Sequence, residues 1–157
     1  MKPKCAISDT LFDPFGTLTG GMVVTILHRL EGEPEVAYSG TFTDVPDGTW
    51  YTDGVEWAAS KGIVNGYGDG QFGPTDEVTR EQLAAILYRY AAFRGCEIQT
   101  AGLVPDGNIS PWAVEYVNWA AANGVLRVSG GTVRATEKAL RREVAAAIRG
   151  FCENAGK

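Results

Sequence analysis

The sequence predicts a mainly α-helical protein, a pseudo-threefold cluster of helix-loop-helix units with short strand pieces confined to loops. Three recurrences predict it. Trp57-Ala58-Ala59-Ser60-Lys61-Gly62-Ile63-Val64 returns as Trp119-Ala120-Ala121-Ala122-Asn123-Gly124-Val125-Leu126, 62 residues on. Thr79-Arg80-Glu81-Gln82-Leu83-Ala84-Ala85-Ile86 returns as Arg141-Arg142-Glu143-Val144-Ala145-Ala146-Ala147-Ile148 at the same offset. Upstream, Leu11 to Pro14 and Leu18 to Leu27 match the stretch from Phe72 to Leu87 at an offset of 60. Self-similarity at a fixed period marks a repeat architecture.

The first unit, residues 1–40, is expected to hold only the second half of the pattern, because too few residues precede Leu11 to form a first helix. The middle unit, 41–100, carries it whole. Its first helix runs from about Thr52 to Lys61, with Val55, Ala58 and Ala59 on one stripe and Gly62 as the stop. Its second helix opens at Thr79, where Gln82 three residues on completes a capping box. Leu83, Ile86, Leu87, Tyr90 and Ala91 then share one face. The stretch 65–74 between the helices is too rich in Gly and Pro to be helical. In the diverged last unit, 101–157, Ser110-Pro111 reads as an N-cap and N1 pair and Gly124 as the helix end. Residues 32–41 and 95–109 read as linkers. A two-helix unit cannot bury its apolar face alone. The copies must therefore pack into one structural unit, with the second helices near a common axis and grooves between neighbours.

Composition narrows the function. The chain has 157 residues, of which 45% are hydrophobic, enough for a core. A net charge of -5 argues against a general nucleic-acid binder, and no apolar run is long enough for membrane insertion. No apolar stretch follows Met1-Lys2-Pro3-Lys4, so no signal peptide is visible, and the chain reads as cytosolic or as a mature fragment. Cys5, Cys96 and Cys152 are too scattered for a zinc cluster. They are either three reduced thiols or one pair with one left over.

Phe42-Thr43-Asp44-Val45, Trp50-Tyr51, Trp57-Ala58 to Tyr67, Asp69-Gly70-Gln71-Phe72-Gly73-Pro74 and Val78-Thr79-Arg80-Glu81-Gln82-Leu83-Ala84 together resemble the S-layer homology repeat along its whole length. The resemblance extends from about Leu11 to Phe151. It implies three tandem repeats, the first truncated, in a three-pronged spindle that binds secondary cell-wall polysaccharide without catalysis. It also implies an extracellular place at the cell wall or S-layer. The implied ligand is an acidic, pyruvylated glycan whose carboxylate meets the Arg of the Thr-Arg-Ala-Glu motif. Carried over, that Arg is Arg80, flanked by Thr79 and Glu81, in the middle copy, and Arg142 in the last, with Arg141 beside it able to take the role. An Arg in the first turn of a helix offers a fork of donors and a positive helix end to a carboxylate. The first copy has Gly20 at this place and the last lacks the Asp-Gly-x-Phe-x-Pro loop, with Ala135 near the Pro position. Arg80 is thus the expected principal clamp, and the Gly20 groove is expected to be silent. An alternative is a structural or protein-interaction module that kept the fold and lost the glycan. A homo-oligomer formed through the incomplete first repeat is a further expectation.

Trp50 and Trp112, near the starts of the first helices, either stack on a sugar ring or anchor the core, whereas Trp57 and Trp119 read as core. Arg80 could instead form a surface salt bridge with Glu81, which would contribute little. His28, the only histidine, has no nucleophile at triad spacing. Gly66-x-Gly68-x-Gly70 lacks the lysine of a phosphate loop, and Asp69, Asp76 and Glu77 lack the alternation of a calcium loop. No enzyme activity, metal or cofactor is expected.

Overall fold

A computed structural model describes residues 16–66, 69–95, 109–122 and 134–141. It is mainly helical, with α1 (Gly20–Leu30), α2 (Thr52–Ser60), α3 (Arg80–Phe93) and α4 (Val114–Ala122), the last entered through a 3-10 turn at Pro111–Ala113. The expected strand pieces reduce, among the described residues, to three isolated bridges.

Each element follows from local chemistry. Thr79 caps α3 as expected: its side chain accepts from the Gln82 N–H, and the Gln82 side chain accepts from the Thr79 N–H at 2.8 Å. Thr19 caps α1 in the same way, accepting from Met22 N. Helix α2 ends where Gly62 takes φ 74, a left-handed conformation that glycine adopts without strain. Ile63 N then donates to Ala58 O and Gly62 N to Ala59 O, filling carbonyls the helix end leaves open. At Ser110 the expected positions hold, with Ser110 as the N-cap residue and Pro111 in the first turn. The Ser110 side chain makes no cap bond, and a 3-10 turn follows, closed by Ala113 N on Ser110 O. The Ser110 N–H donates to the buried Glu81 carboxylate at 3.1 Å, which ties this entry to α3. Gly124 lies outside the described residues.

The bridges form a closed ring. Gly20 N donates to Asp76 O, Arg80 N to Glu137 O and Arg141 N to Gly16 O, each at 2.8–3.0 Å. Segments 16–20, 76–80 and 137–141 thus occupy equivalent places, and Leu18, Val78 and Ala139 are buried together at the ring. This register relates the last two segments by 61 residues, one fewer than the identity match. Of the second helices expected at the axis, α1 and α3 are described, and the last lies outside the described residues. The N–H groups that open α1 and α3 have no partners in their own helices. The preceding segment of the next unit supplies carbonyls to them, so the ring ties the three units together. The helices pair as prongs, α1 with α2 and α3 with α4.

Close approach makes the first prong possible. A Cβ on Gly54 would lie 3.2 Å from the backbone of Thr25, so a larger residue there would push α2 a few tenths of an ångström away from α1. Trp57 and Trp119 are core residues as expected, 2% and 3% exposed. Trp57 packs its ring against His28 and Phe93, and Tyr88 meets Trp119 edge to face. His28 is buried, its Nε2 2.9 Å from Pro34 O. Glu56 is buried on α2 and accepts from the hydroxyls of Ser39 and Thr41, both at 2.8 Å, and from Thr41 N. These bonds fasten the segment expected as a linker to the core.

Candidate inter-repeat glycan grooves

The ring makes Gly20, Arg80 and Arg141 backbone equivalents, and each faces a different neighbour. Arg141 faces α1. Its Nε donates to Thr17 O at 3.1 Å, and with Leu18, Met22, Ile26, Arg29 and Trp50 it lines a cavity of about 140 Å³. Trp50 is 61% exposed, too open for a core anchor. Among the described lining residues this groove carries two guanidinium groups and no carboxylate.

Gly20 faces α3 and lines a second cavity of about 140 Å³ with Val64, Phe72, Asp76, Arg89 and Trp112. The two grooves correspond position by position. Leu18, Ile26 and Arg29 in one answer to Val78, Ile86 and Arg89 in the other, and Trp50 answers to Trp112, which is 53% exposed. Their charge does not correspond, because Gly20 stands where Arg141 stands and Asp76 joins the wall.

Arg80 lines neither groove. It is 7% exposed, and burial holds its pKa below the usual guanidinium value, opposed by Glu137 and assisted by Arg134. Thr79 lies at the edge of a wider polar recess of about 590 Å³, with Asp76, Glu77, Gln82 and Lys138. Glu81 is buried and accepts from the Ser110 N–H. The structure therefore brings Trp50 together with Arg141, and Trp112 together with Gly20. Arg142 lies outside the described residues. Arg29 and Arg89 were missed by sequence reasoning. The 60-residue offset could have found them, since His28-Arg29-Leu30 matches Tyr88-Arg89-Tyr90 there.

The comparisons with known proteins agree with this architecture. A sequence model described as the S-layer homology domain matches residues 41–84 and 106–145. The chain belongs to the S-layer homology domain family. It is 33% identical over 96% of its length to an amylopullulanase of Thermoanaerobacterium thermosulfurigenes and 32% identical over 94% to the exoglucanase XynX of Acetivibrio thermocellus. It is 31% identical over 75% to a surface-layer 125 kDa protein of Lysinibacillus sphaericus. The chain spans 8%, 14% and 10% of those relatives' own lengths. An S-layer homology domain is thus shared by S-layer proteins and by enzymes in which it is a small, separate part, and membership associates this chain with the cell surface. No helix among the described residues is long and apolar enough to cross a membrane.

Proposed function

We propose that this S-layer homology domain is a non-catalytic anchor that binds an acidic secondary cell-wall polysaccharide in its inter-repeat grooves, with Arg141 as the principal clamp. One observation carries the reading: Arg141, Arg29 and the exposed Trp50 converge on one groove with no carboxylate among its described lining residues. A carboxylate-bearing sugar needs this combination. The indole covers the apolar face of the ring, and the guanidinium groups meet its charge with charge-assisted hydrogen bonds. The motif by itself favours Arg80. Arg141 takes the leading role among the described grooves, because its groove is lined by Arg29 and the exposed Trp50 as well, with Arg80 and Arg142 as further clamps.

The test is sedimentation with purified wall sacculi, before and after stripping of the secondary polymer. The wild-type chain should sediment with intact sacculi only. Losing one charge-assisted contact of about 1.5–3 kcal/mol should weaken binding of Arg141→Ala by roughly ten- to a hundredfold. Unchanged sedimentation of a correctly folded Arg141→Ala chain would overturn the assignment of the clamp. No sedimentation by the wild-type chain would overturn wall anchoring itself.

A further inference from the structure

We infer that Asn65 is a site of spontaneous covalent modification, where the side-chain amide closes on the backbone nitrogen of Gly66 and the residue becomes isoaspartate and aspartate, loosening the loop that follows. The chemistry is independent of any ligand in the grooves.

The reaction needs an unengaged asparagine side chain, a following residue whose backbone nitrogen is open to attack, and water. The Gly66 nitrogen loses its proton to solvent base and attacks Cγ of Asn65. A C–N bond forms there, the bond to the amide nitrogen breaks, and ammonia leaves a five-membered succinimide behind. Water then opens the ring. Breaking the new bond to Cγ yields aspartate, and breaking the old bond to the backbone carbonyl carbon yields isoaspartate. Nothing is oxidised or reduced.

Both partners are open to this chemistry. Asn65 is exposed and lies outside the helices. Among the described residues neither its carboxamide nor the Gly66 N–H has a hydrogen-bond partner. Packing demands glycine at 66, where φ is 73 and a Cβ would lie 2.6 Å from both Gln71 O and the Phe42 ring. The fold that requires glycine here thus leaves a nitrogen with no side chain to screen it beside an asparagine. Nearby residues differ. Asp69, which precedes Gly70, has its Oδ1 accepting from Gln71 N at 3.1 Å. Asn118 sits inside α4 and is followed by the bulky Trp119.

The position gives the change a consequence. Asn65 lines the cavity beside Gly20, so either product places a carboxylate on that wall. Isoaspartate also lengthens the main chain by one methylene at a turn packed against Phe42 and Gln71, where a single added carbon has no room. The loop beyond is fastened by Asp44, which accepts from Phe72 N at 2.9 Å and Gly73 N at 2.8 Å, and by Thr43 N on Gly70 O. A displaced Gly66 works against these bonds.

The test incubates the full chain at neutral and at mildly alkaline pH, then digests it with trypsin. The peptide Gly62–Arg80 contains Asn65 as its single asparagine, so its mass reports this site alone. Isoaspartate in it is labelled with a protein isoaspartate methyltransferase. The peptide should gain the mass of an amide-to-acid change, faster at the alkaline pH, with isoaspartate among the products. The unfolding midpoint of the incubated chain should fall as isoaspartate accumulates. Asn65→Gln, which would need a larger ring, should lose the conversion and keep its midpoint. A Gly62–Arg80 peptide that gains no acid in the folded chain overturns the site, whether or not the denatured chain converts. A midpoint that falls equally in wild type and Asn65→Gln overturns the loosening of the loop.

Discussion

The backbone N–H of Arg141 donates to the carbonyl of Gly16 at 2.8 Å, closing a ring in which Gly20 and Arg80 make the corresponding bonds to Asp76 and Glu137. That bond decides which of two adjacent arginines stands in the clamp position of the last repeat. It also places this arginine beside α1 and Trp50. The groove is therefore assembled from three distant stretches of chain, and it draws its arginine and its tryptophan from different repeats.

The division of labour among the tryptophans gives the first prediction. Trp57 is buried between α1 and α3, whereas Trp50 is largely exposed. Trp57→Ala should cost about 3–5 kcal/mol in urea or guanidinium unfolding. Trp50→Ala should cost less than about 0.5 kcal/mol. It should instead weaken retention on wall sacculi.

A second prediction concerns Gly21. Its N–H donates to Pro74 O at 2.9 Å, and a Cβ there would lie 2.8 Å from that oxygen and 3.1 Å from Cβ of Tyr51. The added methyl cannot be accommodated without parting the ring, so Gly21→Ala should destabilise by about 1–3 kcal/mol, read from the unfolding midpoint. A neutral result would mean that the ring is not held at this joint.

Much of this was legible in the sequence because it is written in local chemistry. The Thr79–Gln82 capping box, the Gly62 stop and the buried Trp57 and Trp119 each depend on residues within one helix turn or one repeat. The register of the last repeat was not legible. Arg141 and Arg142 are both arginine, so either offset aligns an arginine with Arg80, and the string match favours Arg142 because it pairs more identical residues; the hydrogen bonds from Arg80 to Glu137 and from Arg141 to Gly16 fix the register instead. At the entry to α4 the cap positions were legible, but the tie to α3 was not. The Ser110 N–H is spent on Glu81, 29 residues away, and no local signal announces such a partner.

Glu81 illustrates how a motif residue can act through the fold. It is buried, and its carboxylate accepts from the Ser110 backbone across the α3–α4 joint. Glu81→Ala leaves that donor without its acceptor and should cost about 1–3 kcal/mol of stability. If it instead lowered glycan affinity at unchanged stability, Glu81 would belong to the binding surface.

Acid sensitivity should centre on Glu56. Burial alone would raise the pKa of this carboxylate, but the hydrogen bonds from Ser39 and Thr41 together outweigh it and hold the pKa below the usual glutamate value. The folded protein therefore binds this proton less readily than the unfolded chain does. The resulting stabilisation is present above the unfolded carboxylate pKa of about 4.3 and is lost as the pH falls through the lower folded value. Other carboxylates titrate over the same range, so the comparison must be made with Glu56→Gln, which keeps the shape and removes the charge. Denaturation midpoints at about pH 7 and about pH 3 should converge for the two chains. The wild-type protein should be the more stable at neutral pH, because only the ionised carboxylate accepts from both hydroxyls and from Thr41 N without placing a proton among those donors. A gap between the two chains that persisted undiminished at the acid end would show that Glu56 stabilises the linker by shape alone.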